Sequence, residues 1–276
     1  MKSPKSQAQA KPGPMTAAEV QAYVAENDDF GFEMQVAGKI RTTLGVEVFH
    51  GATYTDPVTL KPRQFDVRFR IQEERKTLYF AVECKHVDPA FPVIVCGRPA
   101  EAKENYHHII ISRGQESLVS ASVQKAQSSH FLPYAFVGKS ILKPGKGKDG
   151  EIHEGWSQAL SSAHELVVEA VRKGAPMDMC NFGAVFPWLV VPDHTLWQVN
   201  FDPDGQMGTP EPVNYCRFFV GHHYELEPAT EKICLTHIEF MTITGLQKML
   251  HQLKDIAHDW DDWIPAKIRN SFRGGG

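Results

Sequence analysis

Apolar and polar residues alternate strictly in two short runs, FDVRFRI at 65–71 and LYFAVEC at 78–84, which the charged stretch QEERKT separates. A period of two is the pattern of a β-strand whose two faces differ. The runs predict a hairpin with its turn at Glu74 and Arg75. Apolar residues then oppose apolar residues, whereas a slip of one position would oppose each of them to a polar residue. The predicted pairs on the polar side are 70 with 79, 68 with 81 and 66 with 83.

This register sets Asp66 against Glu83, with Lys85 on the same side. Opposed like charges destabilise a hairpin by less than about 1 kcal/mol when they are solvated, and by more when they are partly buried. A divalent cation removes the repulsion, and two carboxylates with water form the open oxygen site that Mg²⁺ prefers. Lys85 could stabilise phosphate charge or steer an attacking water. The trio predicts metal-assisted phosphodiester hydrolysis; the alternative is an exposed polar face with solvated charges.

A helix is predicted before the hairpin. Asn27 to Asp29 offer capping side chains, Gly45 marks the helix end, and one apolar stripe runs between them through Phe32, Val36 and Ile40. The segment 46–54 predicts a strand that Asp56-Pro57 breaks.

Further elements follow the hairpin. The pattern predicts a short helix over 99–106, a buried strand over 107–112 and a helix around 118–128. A longer helix ending at Gly174 has one apolar face, formed by Trp156, Leu160, Ala163, Val167 and Val171.

From Ala184 onwards the chain predicts strands separated by turns, of which DPDG at 202–205 is the clearest. Thr244 is predicted to cap a final helix with an apolar face of Leu246, Leu250, Leu253 and Ala257. The element order indicates a mixed α/β protein with a β-rich second half. The predicted strands are 184–191, 195–201, 215–226 and 232–243.

Composition narrows the function only slightly. The chain has 276 residues, enough for one large or two small domains, and its net charge of −4 with a pI near 6.3 gives no global attraction to nucleic acid. Any phosphate contact must therefore be local. Five widely spaced cysteines predict free thiols in a reducing, cytoplasmic location. No signal peptide or membrane span is expected, and residues 1–15 are predicted to form a disordered tail.

The order Asp66, then Glu83-Cys84-Lys85, resembles the Asp…(Asp/Glu)-x-Lys signature of the restriction-endonuclease-like PD-(D/E)xK nucleases. The helix that carries Glu33 resembles their first core helix, and TDPVTLKPRQFDV resembles the approach to the first catalytic strand in the branch of type IV restriction (Mrr-like) enzymes. The resemblance covers about residues 30–136. Two departures concern neighbouring positions: the nearest proline before Asp66 is Pro62, and Gln64 stands where many relatives carry glutamate.

The resemblance implies a restriction-endonuclease-like core, a central mixed sheet flanked by helices, over 16–180. A β-rich extension with a C-terminal helix, 181–276, would pack on it. Mg²⁺, with Mn²⁺ as a substitute, would be held by Asp66, Glu83, the Cys84 carbonyl and Glu33, while Lys85 positions the water. The implied function is an endodeoxyribonuclease of bacterial restriction or antiviral defence, acting as a homo-oligomer or with a partner subunit. Alternatives are an RNA-cleaving nuclease and a non-catalytic binding or assembly module.

Substrate contact requires positive charge close to the site. Lys61, Arg63 and Arg68 are the candidates beside the hairpin. Gln124 and Lys125, on the predicted helix 118–128, are further candidates, as helical polar residues reach the site in some relatives.

Overall fold

The computed structural model describes residues 13–27, 29–101, 104, 106–113, 117–124, 136–144, 149–172, 180–224 and 233–256. Its helices are α1 (Ala17–Asn27), α2 (Phe30–Leu44), α3 (Asp149–Arg172) and α4 (Ile243–Ile256). Its strands are β1 (Val48–His50), β2 (Thr53–Thr55), β3 (Pro62–Gln64), β4 (Val67–Glu73), β5 (Lys76–Cys84), β6 (Val93–Pro99), β7 (Tyr106–Arg113), β8 (Ser117–Gln124), β9 (Phe136–Leu142), β10 (Cys180–Val191), β11 (Leu196–Asn200), β12 (Glu211–Pro212), β13 (Tyr215–Tyr224) and β14 (Ile233–Thr242).

Twelve of these strands form one mixed sheet in the order β1-β4-β5-β10-β14-β13-β9-β6-β11-β12, with β7 paired to β10 and to β8. β5 is antiparallel to β4 and parallel to β10, and β10 is parallel to β14. β2 and β3 pair only with each other, as a separate small hairpin. The strands of the second half therefore lie beside the predicted catalytic hairpin within the same sheet.

Helices cover both faces of this sheet, and β5 is buried on both sides. On one face Leu78, Phe80 and Val82 pack with α2 and α4. On the other, Tyr79 and Ala81 pack with α3. A strand buried on both faces is typical of the parallel part of an α/β sheet. The α/β class with a large mixed sheet flanked by helices is therefore confirmed. Because the odd-numbered residues of β5 face α3, Glu83 is on that side of the sheet as well.

The helix before the hairpin forms as predicted. Phe32, Val36 and Ile40 are buried against the sheet, and Gly45 ends α2 with a left-handed φ of 69°, where a side chain on any other residue would be strained. α3 likewise buries Leu160, Ala163 and Val167. The predicted end at Gly174 lies outside the described residues.

The cap of the last helix differs from the prediction by two positions. α4 begins at Ile243, and the Thr242 hydroxyl accepts the Gly245 N–H at 3.2 Å. Thr244 lies inside the first turn, where its N–H and its hydroxyl both donate to Asp193, at 2.8 and 3.0 Å. Leu246, Leu250 and Leu253 are buried as predicted, and Ala257 is outside the described residues.

Two predicted helices are wrong. The predicted helix 99–106 is wrong at both ends, because position 99 ends β6 and position 106 begins β7; residues 102, 103 and 105 lie outside the described residues. The segment 118–128 contributes its first part to β8, which pairs antiparallel with β7 from Arg113↔Ser117 to Tyr106↔Gln124. SLVSASVQ contains β-branched and small residues that fit a pleated strand, and hairpin pairing with β7 satisfies its backbone.

The predicted strands of the second half are present, as is the strand at 107–112. The single strand predicted over 46–54 is divided into β1 and β2 by Gly51, whose φ is 67°. The Asp202–Gly205 turn forms as expected, with the Gly205 N–H donating to the Asp202 carbonyl at 3.0 Å. The division into a core over 16–180 and an extension over 181–276 stays a prediction. No helix within the described ranges is long and apolar enough to span a membrane.

Candidate active site

The predicted hairpin register is confirmed: Arg70 faces Tyr79, Phe69 faces Phe80 and Arg68 faces Ala81. The ladder between β4 and β5 ends at Val67↔Val82, one position before the acidic pair. Asp66 therefore leaves the sheet, and its Oδ2 accepts the Cys84 N–H at 2.7 Å. In an extended strand the N–H and C=O of one residue point to the same edge. The Cys84 carbonyl is thus directed to the edge that carries Asp66.

Glu83 is the buried member of the pair, with 3% of its surface exposed. Its position on β5 directs it towards α3. Its Oε1 lies 3.4 Å from Lys85 Nζ. The Gln158 amide of α3 lies against the same oxygen, and we assign its orientation from its neighbours: with the nitrogen facing Glu83 it donates to Oε1 at 2.5 Å. In this orientation the Gln158 oxygen accepts from Arg63 Nη1 at 3.3 Å. Gln158 thereby joins the buried carboxylate to a partly exposed cation.

Lys85 extends β5 by one further backbone contact, because its N–H donates to the Val190 carbonyl of β10 at 3.0 Å. Its side chain runs across α3 at Gly155. A Cβ at Gly155 would lie 3.2 Å from both Cγ and Cε of Lys85, so the absence of a side chain there leaves room for the lysine. The Nζ lies 3.7 Å from Asp29 Oδ2, immediately before α2. Three elements therefore position this ammonium group.

Asp29 and Glu33 bring two more carboxylates to the same region. Asp29 makes no side-chain cap to α2, contrary to its predicted use; its Oδ1 instead accepts the His86 N–H at 2.9 Å. Glu33, one turn later, contacts His50 Nε2 through Oε2 at 2.9 Å. Because α2 packs against the hairpin, both acids lie close enough to Asp66 for their charges to raise the pKa of that group.

The carboxylates of this site are electrostatically unfavourable in the absence of a cation. Burial raises the pKa of Asp66 to about 6, and the charge of Glu33 raises it further. The hydrogen bond from the Cys84 N–H lowers this pKa but does not offset the effect of burial. Burial and then the charge of Asp66 raise the pKa of Glu83 well above its usual value. Burial lowers the pKa of Lys85, but Glu83, Asp66 and Asp29 outweigh that effect and raise it. Lys85 is therefore an ammonium group at neutral pH.

Magnesium fits the donor set. Within the described residues no group of three or more His, Cys, Asp or Glu side chains is arranged to hold a metal. However, Mg²⁺ is commonly held by one or two carboxylates while it keeps several waters. Asp66, Glu83 and the Cys84 carbonyl supply two carboxylates and one main-chain oxygen at one strand end. Glu33 is occupied by His50, so it is a more remote candidate ligand.

The predicted substrate contacts have different surroundings. Lys61 is exposed, and Arg63, with 34% of its side chain exposed, lies 3.3 Å from Asp56 as well as near Gln158. Arg68 is only 8% exposed and is held by α3: its guanidinium donates to the Ser162 carbonyl at 2.6 Å and to Glu165 at 2.9 Å. This environment gives Arg68 a structural contact with α3.

Gln124 ends the strand β8 rather than lying on a helix, so the expected helical contact is wrong for it. Lys125 lies outside the described residues. α3 brings a different polar residue, Gln158, to the site. Gln64, which stands where many of the nucleases that the chain resembles carry glutamate, donates to the Gly51 carbonyl at 2.5 Å. Its side chain therefore holds the small hairpin in place.

Three residues at the site were missed by the sequence patterns: Asp29, Gln158 and Tyr54. Tyr54 on β2 is 3% exposed, and its hydroxyl has no hydrogen-bond partner in the part of the chain that the structure describes. Burial, then the charges of Glu83 and Asp56, raise the pKa of Tyr54 to about 12. Local periodicity gives no signal for Asp29 or Gln158, because each reaches Glu83 or Lys85 only through packing of a distant helix.

Searches of known protein families, curated proteins and solved structures found no match for this chain.

Proposed function

We propose that this protein is a Mg²⁺-dependent nuclease of the restriction-endonuclease-like class that hydrolyses DNA phosphodiester bonds. The observation that carries the proposal is that Asp66 lies close enough to the buried Glu83 for its charge to raise the pKa of that group. Both have raised pKa values, and the ammonium group of Lys85 lies 3.4 Å from Glu83. A buried carboxylate beside a second one is costly unless a cation or proton offsets it. Such a strand end attracts a hard divalent cation.

Asp66, Glu83 and the Cys84 carbonyl would hold the ion. When bound, Mg²⁺ supplies Lewis-acid stabilisation of phosphoryl charge and a lowered pKa for a coordinated water. The residues of the chain provide the remaining functions. Glu83 is fixed by Gln158 and Lys85, and Asp66 by the Cys84 amide, so the two carboxylates are oriented before substrate arrives.

Lys85 acts as a hydrogen-bond donor in this proposal. Because its raised pKa keeps it protonated, it donates to a non-bridging phosphate oxygen or orients the attacking water, and does not serve as a base. Arg63 lies beside Gln158 at the partly exposed rim, where it can contact a flanking phosphate. Lys61, two residues earlier and exposed, extends this positive edge. Arg68 is left out of the substrate contacts because α3 engages it.

The biological setting follows from the resemblance alone. We infer a cytoplasmic endodeoxyribonuclease of bacterial restriction or antiviral defence. It would act as a homo-oligomer or with a partner subunit.

The decisive experiment is cleavage of supercoiled plasmid, single-stranded DNA and RNA by purified protein with Mg²⁺, Mn²⁺ or EDTA. Glu83→Gln and Lys85→Met are expected to abolish plasmid cleavage with little loss of folded structure. Glu73→Gln and Lys76→Met, which change the same residue types at the opposite end of the same hairpin, are matched controls and should cleave normally.

Cleavage that persists in both site variants would remove the assignment of the site. A wild-type protein that leaves all three substrates intact with either metal would contradict the nuclease. Selective cleavage of RNA would replace the substrate but keep the chemistry.

A further inference from the structure

The tip of the β2–β3 hairpin displays two apolar side chains to solvent. Val58 is 81% exposed and Leu60 is 76% exposed, the highest values among the large apolar residues of the described chain. Isolated exposed apolar residues are ordinary, but these two lie together on one short loop. The loop leads directly to the cations Lys61 and Arg63.

This tip is built to be rigid. Asp56, 5% exposed, accepts the N–H groups of Val58 and Thr59 through Oδ1 at 3.0 and 2.7 Å. Its main chain closes the loop: the Asp56 N–H donates to the Lys61 carbonyl at 3.0 Å, and its carbonyl accepts the Leu60 N–H at 2.9 Å. Two bonds to the carboxylate and two main-chain bonds therefore fix the conformation of this loop.

Leu60 is also held in a strained backbone conformation. Its φ of 56° lies in the left-handed region, which is unfavourable for a leucine and suits glycine or asparagine. Strain of this kind costs about 1 kcal/mol or more and persists where the surrounding structure imposes it, often at functional positions. Here it fixes an apolar side chain pointing into solvent.

The base of the hairpin adjoins the candidate active site, and at the start of the loop the Thr55 N–H donates to Glu165 of α3 at 3.2 Å. Arg63 contacts Gln158, which contacts Glu83. A groove of about 880 Å³ lies between Pro57 and Leu60 on the tip side and Val168 and Glu169 of α3. The α3 residues that line this groove begin at His164, about 9 Å along the helix from Gln158, so a DNA strand held at Glu83 and Lys85 would reach the tip a few nucleotides from the scissile phosphate.

We propose that Val58 and Leu60 form an apolar wedge that enters the groove of double-stranded DNA a few base pairs from the scissile phosphate and partly unstacks a base step. The inference rests on the proposed nuclease function and adds a substrate-distorting element to it. Apolar side chains inserted between base steps bend duplex DNA, at a cost of about a few kcal/mol per step that new contacts must repay. Lys61 and Arg63 supply those contacts by neutralising phosphates on either side of the insertion.

The test uses full-length protein carrying Glu83→Gln, so that binding is measured without cleavage. The probe is a short duplex with 2-aminopurine at the base step under study, whose fluorescence rises on unstacking. Binding of the Glu83→Gln protein is expected to raise the fluorescence. Adding Val58→Ser and Leu60→Asn should remove the rise and weaken duplex binding about tenfold, with single-strand binding unchanged.

Matched variants separate the wedge from other effects. Leu60→Asn suits the left-handed backbone, so the double change should keep or raise the melting temperature, and Leu60→Met should retain unstacking. Met207→Asn, an apolar residue 65% exposed on a distant loop, should leave binding unchanged.

A double variant that keeps both the affinity and the fluorescence rise would overturn the wedge, and an equal effect on an RNA duplex would overturn its assignment to DNA. Plasmid cleavage by the wild type is scored separately. Cleavage without unstacking contradicts the wedge alone, whereas unstacking without cleavage contradicts the nuclease alone.

Discussion

Burial raises the pKa of Asp66 from 3.8 to about 6, although the hydrogen bond that the Cys84 N–H donates to its carboxylate acts to lower it. A carboxyl group whose pKa is raised by folding stabilises the fold when it is protonated. That contribution is fully present below about pH 4 and is lost as the pH rises through about 6. The metal-free protein should therefore become less stable over this range, by up to about 3 kcal/mol from Asp66 alone.

Asp66→Asn is expected to remove this loss. At about pH 8 the metal-free variant should be more stable than wild type in urea unfolding, because its amide still accepts the Cys84 N–H and carries no charge. Mg²⁺ should raise the melting temperature of the wild type and not of the variant. Asp204→Asn, an exposed position, is the control. The comparison is repeated at about pH 4, and a variant less stable than wild type at about pH 4 and also at about pH 8 would show that the charge of Asp66 does not destabilise the fold.

Gln158 provides a second prediction at single-residue scale. Gln158→Leu removes the donor to Glu83 and the acceptor for Arg63 but keeps the volume of the side chain. Plasmid cleavage should fall by about tenfold to a hundredfold, since a carboxylate and a cation both lose their orientation. Ser157→Ala, at the preceding position of α3, should cleave normally. If cleavage by Gln158→Leu equals that of the wild type, Gln158 does not position the site.

The attachment of α3 to β4 can be tested with two arginines on the same strand face. Arg68 is 8% exposed and bonds Ser162 and Glu165, whereas Arg70 and Glu169 are both about half exposed, at 45% and 44% of their side chains. Arg68→Met should lower the free energy of unfolding by about 2–4 kcal/mol, and Arg70→Met by less than about 0.5 kcal/mol. Urea denaturation measures both. Equal small losses would mean that α3 is not anchored through Arg68.

At the scale of elements, the sequence predicted the helices and strands whose apolar residues recur with a clear period. The hairpin register followed from the pairing of Phe69 with Phe80, because a slip would bury polar residues. The two helices at 99–106 and 118–128 were wrong because short segments without a strong period are decided by the strand beside them, here β7 for β8. Gln158 could not be predicted as a site residue, since its contact with Glu83 spans 75 positions in sequence and depends on how α3 packs on the sheet.

At the scale of the whole molecule, the position of β5 determines how the two halves of the chain depend on each other. β5 pairs with β4 from the first half over Lys76 to Val82, and with β10 from the second half over Lys76 to Cys84. The Phe80 ring, which is fully buried, stacks on Phe69 at 4.3 Å and on Phe186 at 5.2 Å, so a single side chain links both halves. Such pairing favours one cooperative unit over two separately folding domains.

Phe80→Ala tests this cooperativity. The change should cost about 3–5 kcal/mol, because it opens a cavity among rings that cannot close around it. Far-UV circular dichroism and tryptophan fluorescence should then report one urea transition, displaced as a whole, since β4 and β10 lose the same partner. Phe49→Ala, 43% exposed, should shift the midpoint only slightly. If two separate transitions are seen and Phe80→Ala shifts only one of them, the segments before and after residue 180 unfold independently. The pairing of β5 with β10 would then not be the main source of stability for the proposed active site.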